Sequence, residues 1–341
     1  MDLDDERDVD RGGERNGGGA MSGRDPDSFA LDRRAVARAF GRAGPRYDAI
    51  ATLQASVRAE LLDRLGHFAL APRVVLDAGA GTGASSAELA RRYPDATIVA
   101  LDLAHGMLVQ AGTRLGLGAR LSGGRFGRRF ARVRGDVHRL PLADGCAQLA
   151  FSNLMLQWSD DLDAALRELH RVLAPGALLT FSTFGPDTLR ELRDAWASVD
   201  AAPHVNPFVD MHDLGSALAR AGFSEPVLDV DRHRLDYDEP LALMRELQQI
   251  GARNALADRP RGLTGRRRLA ALQQAYRAQH GTADGRVRAT WEVIYATSFR
   301  GDGPARHADE EADGTREFAI DVARIGRRAR GPADGGPGGA P

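Results

Sequence analysis

Residues 76–92 read LDAGAGTGASSAELARR, with glycines at 79, 81 and 83 between an apolar run and a helical pattern. A chain that bends this sharply from strand to helix needs positions without a Cβ. Gly79 allows the turn off the strand, Gly81 lets backbone approach a ligand, and Gly83 lets the helix start close to the sheet. In open α/β sheets, ligands collect at such a bend.

The rest of the pattern fits that architecture. Short apolar runs at 73–79, 96–102, 131–136, 147–153 and 177–183 suit strands buried on both faces, and helical patterns separate them. The clearest is DLDAALRELHRVLAPG, where Leu162, Ala165, Leu166, Leu169, Val172 and Leu173 form one stripe that Pro175-Gly176 should stop. Alternation at this spacing implies parallel strands joined by right-handed crossovers, a doubly wound α/β sheet. Later strands are expected at 226–237 and 287–300, with helical lids over the sheet at about 186–212 and 239–281. The 341 residues therefore divide into a glycine-rich, charged tail (1–27) expected to be disordered, one domain (28–301), and a largely disordered extension (302–341). Met21 offers a second start site within the first tail.

Composition removes several chemistries. All 46 basic residues are arginine, which excludes a Schiff-base lysine, a pyridoxal-phosphate anchor and a P-loop lysine. Cys146 is the sole cysteine, so the chain has no internal disulfide and no CxxC zinc or iron–sulfur site, and Cys146 itself reads as a turn or strand residue. His138, His204 and His212 lack the close spacing of a metal site, and no metal is expected. The net charge of −1 and the absence of a long apolar run argue against nucleic acid or a membrane as partner and for the cytoplasm as location.

The acids around the bend narrow the ligand. Asp77 precedes the first glycine, Asp102 closes the second strand about where a ribose diol is held, and Asp136 closes the third in GDVHRLPL. Acids disfavour a pyrophosphate and favour a cationic, phosphate-free nucleoside; S-adenosylmethionine has that chemistry. Alternatively, each acid merely caps a strand end.

The segments VVLDAGAGTG, ALD, GDVHRLPL and LRELHRVLAPGALL resemble the class I S-adenosylmethionine-dependent methyltransferases. The resemblance implies a Rossmann-like, mostly parallel seven-stranded sheet with an antiparallel last strand. It also implies that Asp77, Gly79, Ala80, Gly81 and Gly83 frame the methionine part, Asp102 and Leu103 the ribose, Asp136 and Val137 the adenine, and that Asn153 lies near the methionyl group.

More distinctive segments resemble the malonyl-acyl-carrier-protein O-methyltransferase family of biotin synthesis. They are AFGRAGPRYDAIATLQ, SNLMLQWSDDLDAAL, STFGPDTLRELRDAW, HVNPFVDMHDLGSALARAGF, LMRELQQIGARN, GLTGRRRL and DGRVRATWEVIYATSFRG, spanning about Arg33 to Arg300. Three features depart from it: Gln248 where many members carry lysine, Trp291 where tyrosine is common, and about ten extra residues in GLGARLSGGRFGRRF before the third strand, expected to be a surface loop.

The family's reaction, methylation of a malonyl carboxylate on an acidic acyl-carrier protein, suits these residues. A carboxylate is ionised at neutral pH and needs no general base. An arginine gripping one oxygen would select it, and Arg193, Arg220 and Arg245 on the expected lid helices are the candidates, each equally readable as solvated surface. Tyr47 could orient donor or acceptor, and Gln157 and Trp158 should face the acceptor, though Tyr47 and Trp158 could equally be core. The arginine clusters at 259–268 and 324–330 could steer an acidic carrier. Two other readings stay open: a methyltransferase for a small acid or quinone precursor, and a cofactor-binding assembly factor resembling the respiratory complex I arginine hydroxylase. Oligomeric state is not legible.

Overall fold

The computed structural model describes residues 30–121, 129–257, 259, 262 and 264–301; the tails read as disordered lie outside these residues. Seven strands form one sheet in the order β3-β2-β1-β4-β5-β7-β6. They are β1 (Val74–Ala78), β2 (Thr97–Asp102), β3 (Phe130–Arg134), β4 (Ala147–Asn153), β5 (Leu173–Phe184), β6 (Phe223–Tyr237) and β7 (Val287–Arg300). Strands β1 to β5 pair in parallel, and β7 runs antiparallel to both β5 and β6. The doubly wound sheet with an antiparallel last strand is as expected.

Pleating sends alternate residues into two cores. Val75, Ile98, Leu149, Phe151 and Leu178 meet the helices on one face. Leu76, Val99, Leu101, Ala150, Leu179 and Phe181 meet those on the other. Burial on both faces holds for β1, β2 and β4 but not for β3, an edge strand whose Arg134 is exposed. Charge on an edge discourages pairing with another chain.

Helix α5 (Leu162–Val172) begins at Asp161, which accepts the Ala164 N–H at 2.8 Å, and buries the expected stripe. It ends three residues before Pro175 rather than at it. Leu173 already belongs to β5, because pairing with Ala147 satisfies its backbone. The extra residues before β3 begin as helix, since α4 runs from His105 to Leu121; 122–128 lie outside the described residues.

The lid is built from α6 (Arg190–Ala197), α8 (Pro240–Gln249) and α9 (Arg266–His280), with α6 and α8 both packed on α9. The N-terminal helix α1 (Arg33–Ile50) joins this layer through α8. Helix α7 (Met211–Arg220) does not. It packs on α5 and β6, so the first lid insertion ends before it.

Candidate active site

The bend after β1 is held from outside. Gly79 and Ala80 both donate backbone N–H to Leu101 O on β2, at 2.8 and 2.9 Å. Gly79, Gly81 and Gly83 take φ of +79°, +56° and +77°. The first two differ in what surrounds them. A Cβ on Gly79 would lie 2.5 Å from Met155 Cβ, whereas a Cβ on Gly81 would meet nothing within 4 Å. Gly79 is forced by packing against protein; Gly81 borders open space. Gly83 caps α3 (Ala84–Arg92).

A cleft enclosing about 820 Å³, partly open to solvent, lies over this bend. Tyr47, Gly79, Gly81, Asp102, Leu103, Asp136, Val137, Asn153 and Trp158 line it. Asp102 accepts from Gly81 N–H at 2.9 Å and from Ala104 N–H at 2.7 Å, and burial pushes its carboxyl up to about 6. Asp136 accepts from the His138 N–H at 3.0 Å and from Arg33 at 3.0 Å. Burial would raise its pKa, but the His138 contacts and the Arg33 charge outweigh that and hold it below the usual range. Asn153 is fixed through both ends of its amide, to Gln54 O at 3.1 Å and Ser182 Oγ at 3.0 Å. Burial, then the charge of Asp102, pushes the Tyr47 hydroxyl far up, so it stays a neutral phenol.

Asp77 sits behind the bend rather than in the cleft. It is buried, its Oδ2 accepts from Ser86 at 2.5 Å, and its Oδ1 has no partner among the described residues. Burial raises its carboxyl to about 7, and the Asp102 charge adds to the rise. Ala80 and Gly83 likewise shape the bend without lining the cleft.

One wall is α1, which contributes Tyr47 together with Arg33, Val36, Ala37 and Phe40, four residues the sequence did not single out. Arg33 reaches across the cleft mouth to Asp136 and to Asp160, where its Nε lies 2.9 Å from Oδ1. Asp48 at the other end of α1 accepts from Thr82 in the bend at 2.7 Å. His138 is tied to Asp136 (2.5 Å) and Ser159 (2.7 Å), a structural use of the ring. Among the described residues no group of histidines, cysteines and acids could hold a metal ion.

A second, larger cavity of about 1870 Å³ opens under the lid. Trp158 lines both cavities, which adjoin there, and packs edge-on against Phe40 with centroids 5.2 Å apart. Its walls are apolar and aromatic, with Phe184, Trp196, Phe208, Met244 and Trp291 among them. Gln248 and Trp291, two departures from the resembled family, both lie in this wall.

The remaining acceptor candidates do not gather here. Arg220 on α7 pairs with Asp163 on α5 at 3.0 Å, away from both cavities. Arg193 donates to Pro186 O and Thr188 O at 3.2 and 3.1 Å, bracing the loop before α6. Gln157 donates to Leu154 O at 2.6 Å and does not line either cavity. Arg245 reaches the second cavity, but it is 61% exposed and pairs with Glu239. Instead, Arg253, Arg259 and Arg268 border the cavity. Arg259 and Arg268 come from the cluster read as a carrier-docking surface; the cluster at 324–330 lies outside the described residues.

Two adjoining cavities above a glycine bend, with acids at the tips of β2 and β3, define a class I methyltransferase. Residues 76–181 match the methyltransferase domain family. Two solved structures share the fold. The YcgJ protein of Bacillus subtilis is 14% identical with a TM-score of 0.51, covering 71% of this chain and 98% of that one. A Bacillus halodurans protein is 17% identical with a TM-score of 0.52, covering 72% and 99%.

The chain belongs to the malonyl-(acyl-carrier protein) O-methyltransferase family. The member from Halorhodospira halophila is 44% identical, over 89% of this chain and 99% of its own length. Those from Methylovorus and Laribacter hongkongensis are 47% and 46% identical, over 80% and 86% of this chain and 91% and 96% of theirs.

The residues present fit S-adenosylmethionine. Asp102 keeps lone pairs toward the cleft for a diol, Gly81 leaves the room a Cβ would fill, and the acidic surroundings suit a cation.

Proposed function

We propose that this protein transfers a methyl group from S-adenosylmethionine to the free carboxylate of malonyl-acyl-carrier protein, forming the methyl ester that begins pimelate assembly for biotin. The observation that carries the reading is full-length similarity to malonyl-(acyl-carrier protein) O-methyltransferases, through the lid as well as the sheet. The two-cavity arrangement supports it. A cofactor cleft meets, at Trp158, a cavity about twice its size that is bordered by arginines, which suits an anionic acceptor on a long arm better than a small free acid. Neither the small-acid reading nor the assembly-factor reading gains a specific observation.

When bound, S-adenosylmethionine supplies a methyl group activated on a sulfonium. An acceptor carboxylate oxygen forms the new O–C bond as the C–S bond breaks and its electron pair returns to sulfur. No proton moves, so no base is needed, and none of the described cleft histidines is free to act as one: His138 is held at both nitrogens. The chain's work is placement. Asp102, Asp136 and the bend fix the nucleoside, Asn153 and Tyr47 flank the reacting end, and Phe40 and Trp158 border the passage to the second cavity. Orientation of this kind can supply about 7–11 kcal/mol of the barrier. Removing water from the carboxylate sharpens it as a nucleophile.

The domain limits, 28–301 with lid insertions and two outer tails, belong to this reading, as do an acidic carrier as partner, no metal, and a cytoplasmic location. Among the described residues no helix is long and apolar enough to cross a membrane. Purified protein with methyl-labelled S-adenosylmethionine and malonyl-carrier protein should place label in a base-labile ester. Label on free malonate only, or on nothing, overturns the reading.

A further inference from the structure

The acceptor cavity has apolar and aromatic walls with a polar, arginine-bearing border, and of its three carboxamides, Asn206, Gln248 and Asn254, only Asn206 is buried. Asn206 is 7% exposed and lines the cavity. Its amide orientation is fixed by chemistry: the backbone N–H of Ala255 donates to it at 3.2 Å, which only Oδ1 can accept. The Nδ2 group then has no acceptor among the described residues, and it is not sealed from the cavity. A donor that faces the cavity and is turned toward it by the Ala255 contact is available to a ligand there.

Ala255 also links Asn206 to a cation. Its carbonyl accepts the Asp32 N–H at 2.8 Å, and the Asp32 carboxylate lies 3.4 Å from Arg259. Asn206, Ala255, Asp32 and Arg259 thus form one hydrogen-bonded cluster beside the start of α1, the helix whose next residue, Arg33, already lines the cofactor cleft. Arg259 donates one N–H to Leu256 O at 2.6 Å, and its Nε has no acceptor among the described residues. Of the arginines around the cavity it is the best shielded: its side chain is 21% exposed, against 45% for Arg268 and 61% for Arg245, while Arg253 is exposed. Arg268 is also occupied by Asp200. Shielding matters, because a charge pair in water is worth little and one removed from water is worth far more.

We propose that Asn206 Nδ2 and Arg259 together form the carboxylate anchor of the acceptor cavity, holding one oxygen of the acceptor and leaving the other to react. The inference rests on the malonyl-carrier reading above. It explains discrimination in both directions. An acyl group without the terminal carboxylate gives Asn206 Nδ2 no charged acceptor and leaves Arg259 only Asp32 and Leu256 O, and the neutral methyl ester offers Arg259 no charge, so the same two donors favour substrate over product.

The test compares carrier protein bearing malonyl with the same carrier bearing acetyl, which lacks the carboxylate. Wild-type protein should bind the malonyl form at least tenfold more tightly. Arg259→Gln should remove that preference and lower kcat/KM for methyl transfer at least tenfold, while acetyl-carrier and cofactor affinities change less than twofold. Asn206→Asp keeps an oxygen for the Ala255 N–H but sets a like charge against the acceptor, so it should invert the preference. Should Arg259→Gln lose cofactor binding its fold is at fault, and should it lose acetyl-carrier binding alone it acts in carrier docking; in either case Asn206→Asp decides alone. Malonyl preference retained in Asn206→Asp, or in a properly folded Arg259→Gln, overturns the anchor. Failure of the wild-type protein to form an ester on the malonyl carrier would overturn the underlying reading instead.

Discussion

Gly81 donates its backbone N–H to Asp102 Oδ2 across 2.9 Å, joining the glycine bend of β1 to the acidic tip of β2. The bond couples the two residues proposed to hold the cofactor. Asp102→Ala should therefore do more than delete a diol acceptor, because it also releases the Gly81 and Ala104 N–H groups. Hydrogen bonds to a charged group contribute about 1.5–3 kcal/mol, so calorimetric affinity for S-adenosylmethionine should fall roughly 10- to 100-fold. An unchanged affinity would reject the role of Asp102.

The glycines of the bend should separate folding from binding. Gly79→Ala drives a Cβ to 2.5 Å from Met155 Cβ at φ +79°, and should lower the melting temperature as well as abolish binding. Gly81→Ala costs only the left-handed backbone penalty, about 1–2 kcal/mol, because its Cβ enters open cleft. It should stay folded and lose cofactor affinity at least tenfold. Equal effects at the two positions would mean that the cleft beside Gly81 is not where the ligand lies.

Asp77 makes stability depend on pH. Burial raises its folded carboxyl to about 7, above an unfolded value near 3.8. Between these values the folded state binds more protons than the unfolded, so stability falls as pH rises from 4 and levels off above 7. At about 1.4 kcal/mol per pH unit across that window, the loss attributable to Asp77 is about 4 kcal/mol. Asp77→Asn, which can still accept from Ser86, should flatten the unfolding profile from pH 4 to 8; an unaltered slope would show that other groups set it. Cofactor affinity should move the other way, weakening as pH falls through about 6, where Asp102 takes up its proton and loses its attraction for a cation.

The sheet was readable from residues 73–183 because strands buried on two faces leave continuous apolar runs and the crossover helices leave clean stripes. That Gly79, Gly81, Asp102, Asp136 and Asn153 would line one cleft was readable for a related reason: strand ends place them, and the strands were visible. The acceptor side was not. Arg220 and Arg193 look like Arg259 in one dimension, and only tertiary packing shows that the first pairs with Asp163, the second braces backbone, and the third lines a cavity. Asn206 carried no periodic signal, since it sits in an irregular loop whose shape depends on Ala255, 49 residues away. Arg33 was missed because a helix closing over a cleft looks in sequence like any amphipathic surface helix.

Arg33 ties α1 across the mouth of the cofactor cleft through Asp136 and Asp160, and its side chain is 37% exposed. Partly exposed pairs add at most about 1 kcal/mol to stability, so Arg33→Ala should barely shift the melting temperature. It should nevertheless free the start of α1 and speed cofactor release several-fold, which stopped-flow displacement would measure. Arg220→Ala is the matched comparison. It removes a pair of similar exposure, Arg220 with Asp163, on the far side of α5. The two variants should match in stability and differ in off-rate. Equal off-rates would show that α1 closes the cleft by its apolar face alone, with Val36, Ala37 and Phe40 sufficient without the ion pairs.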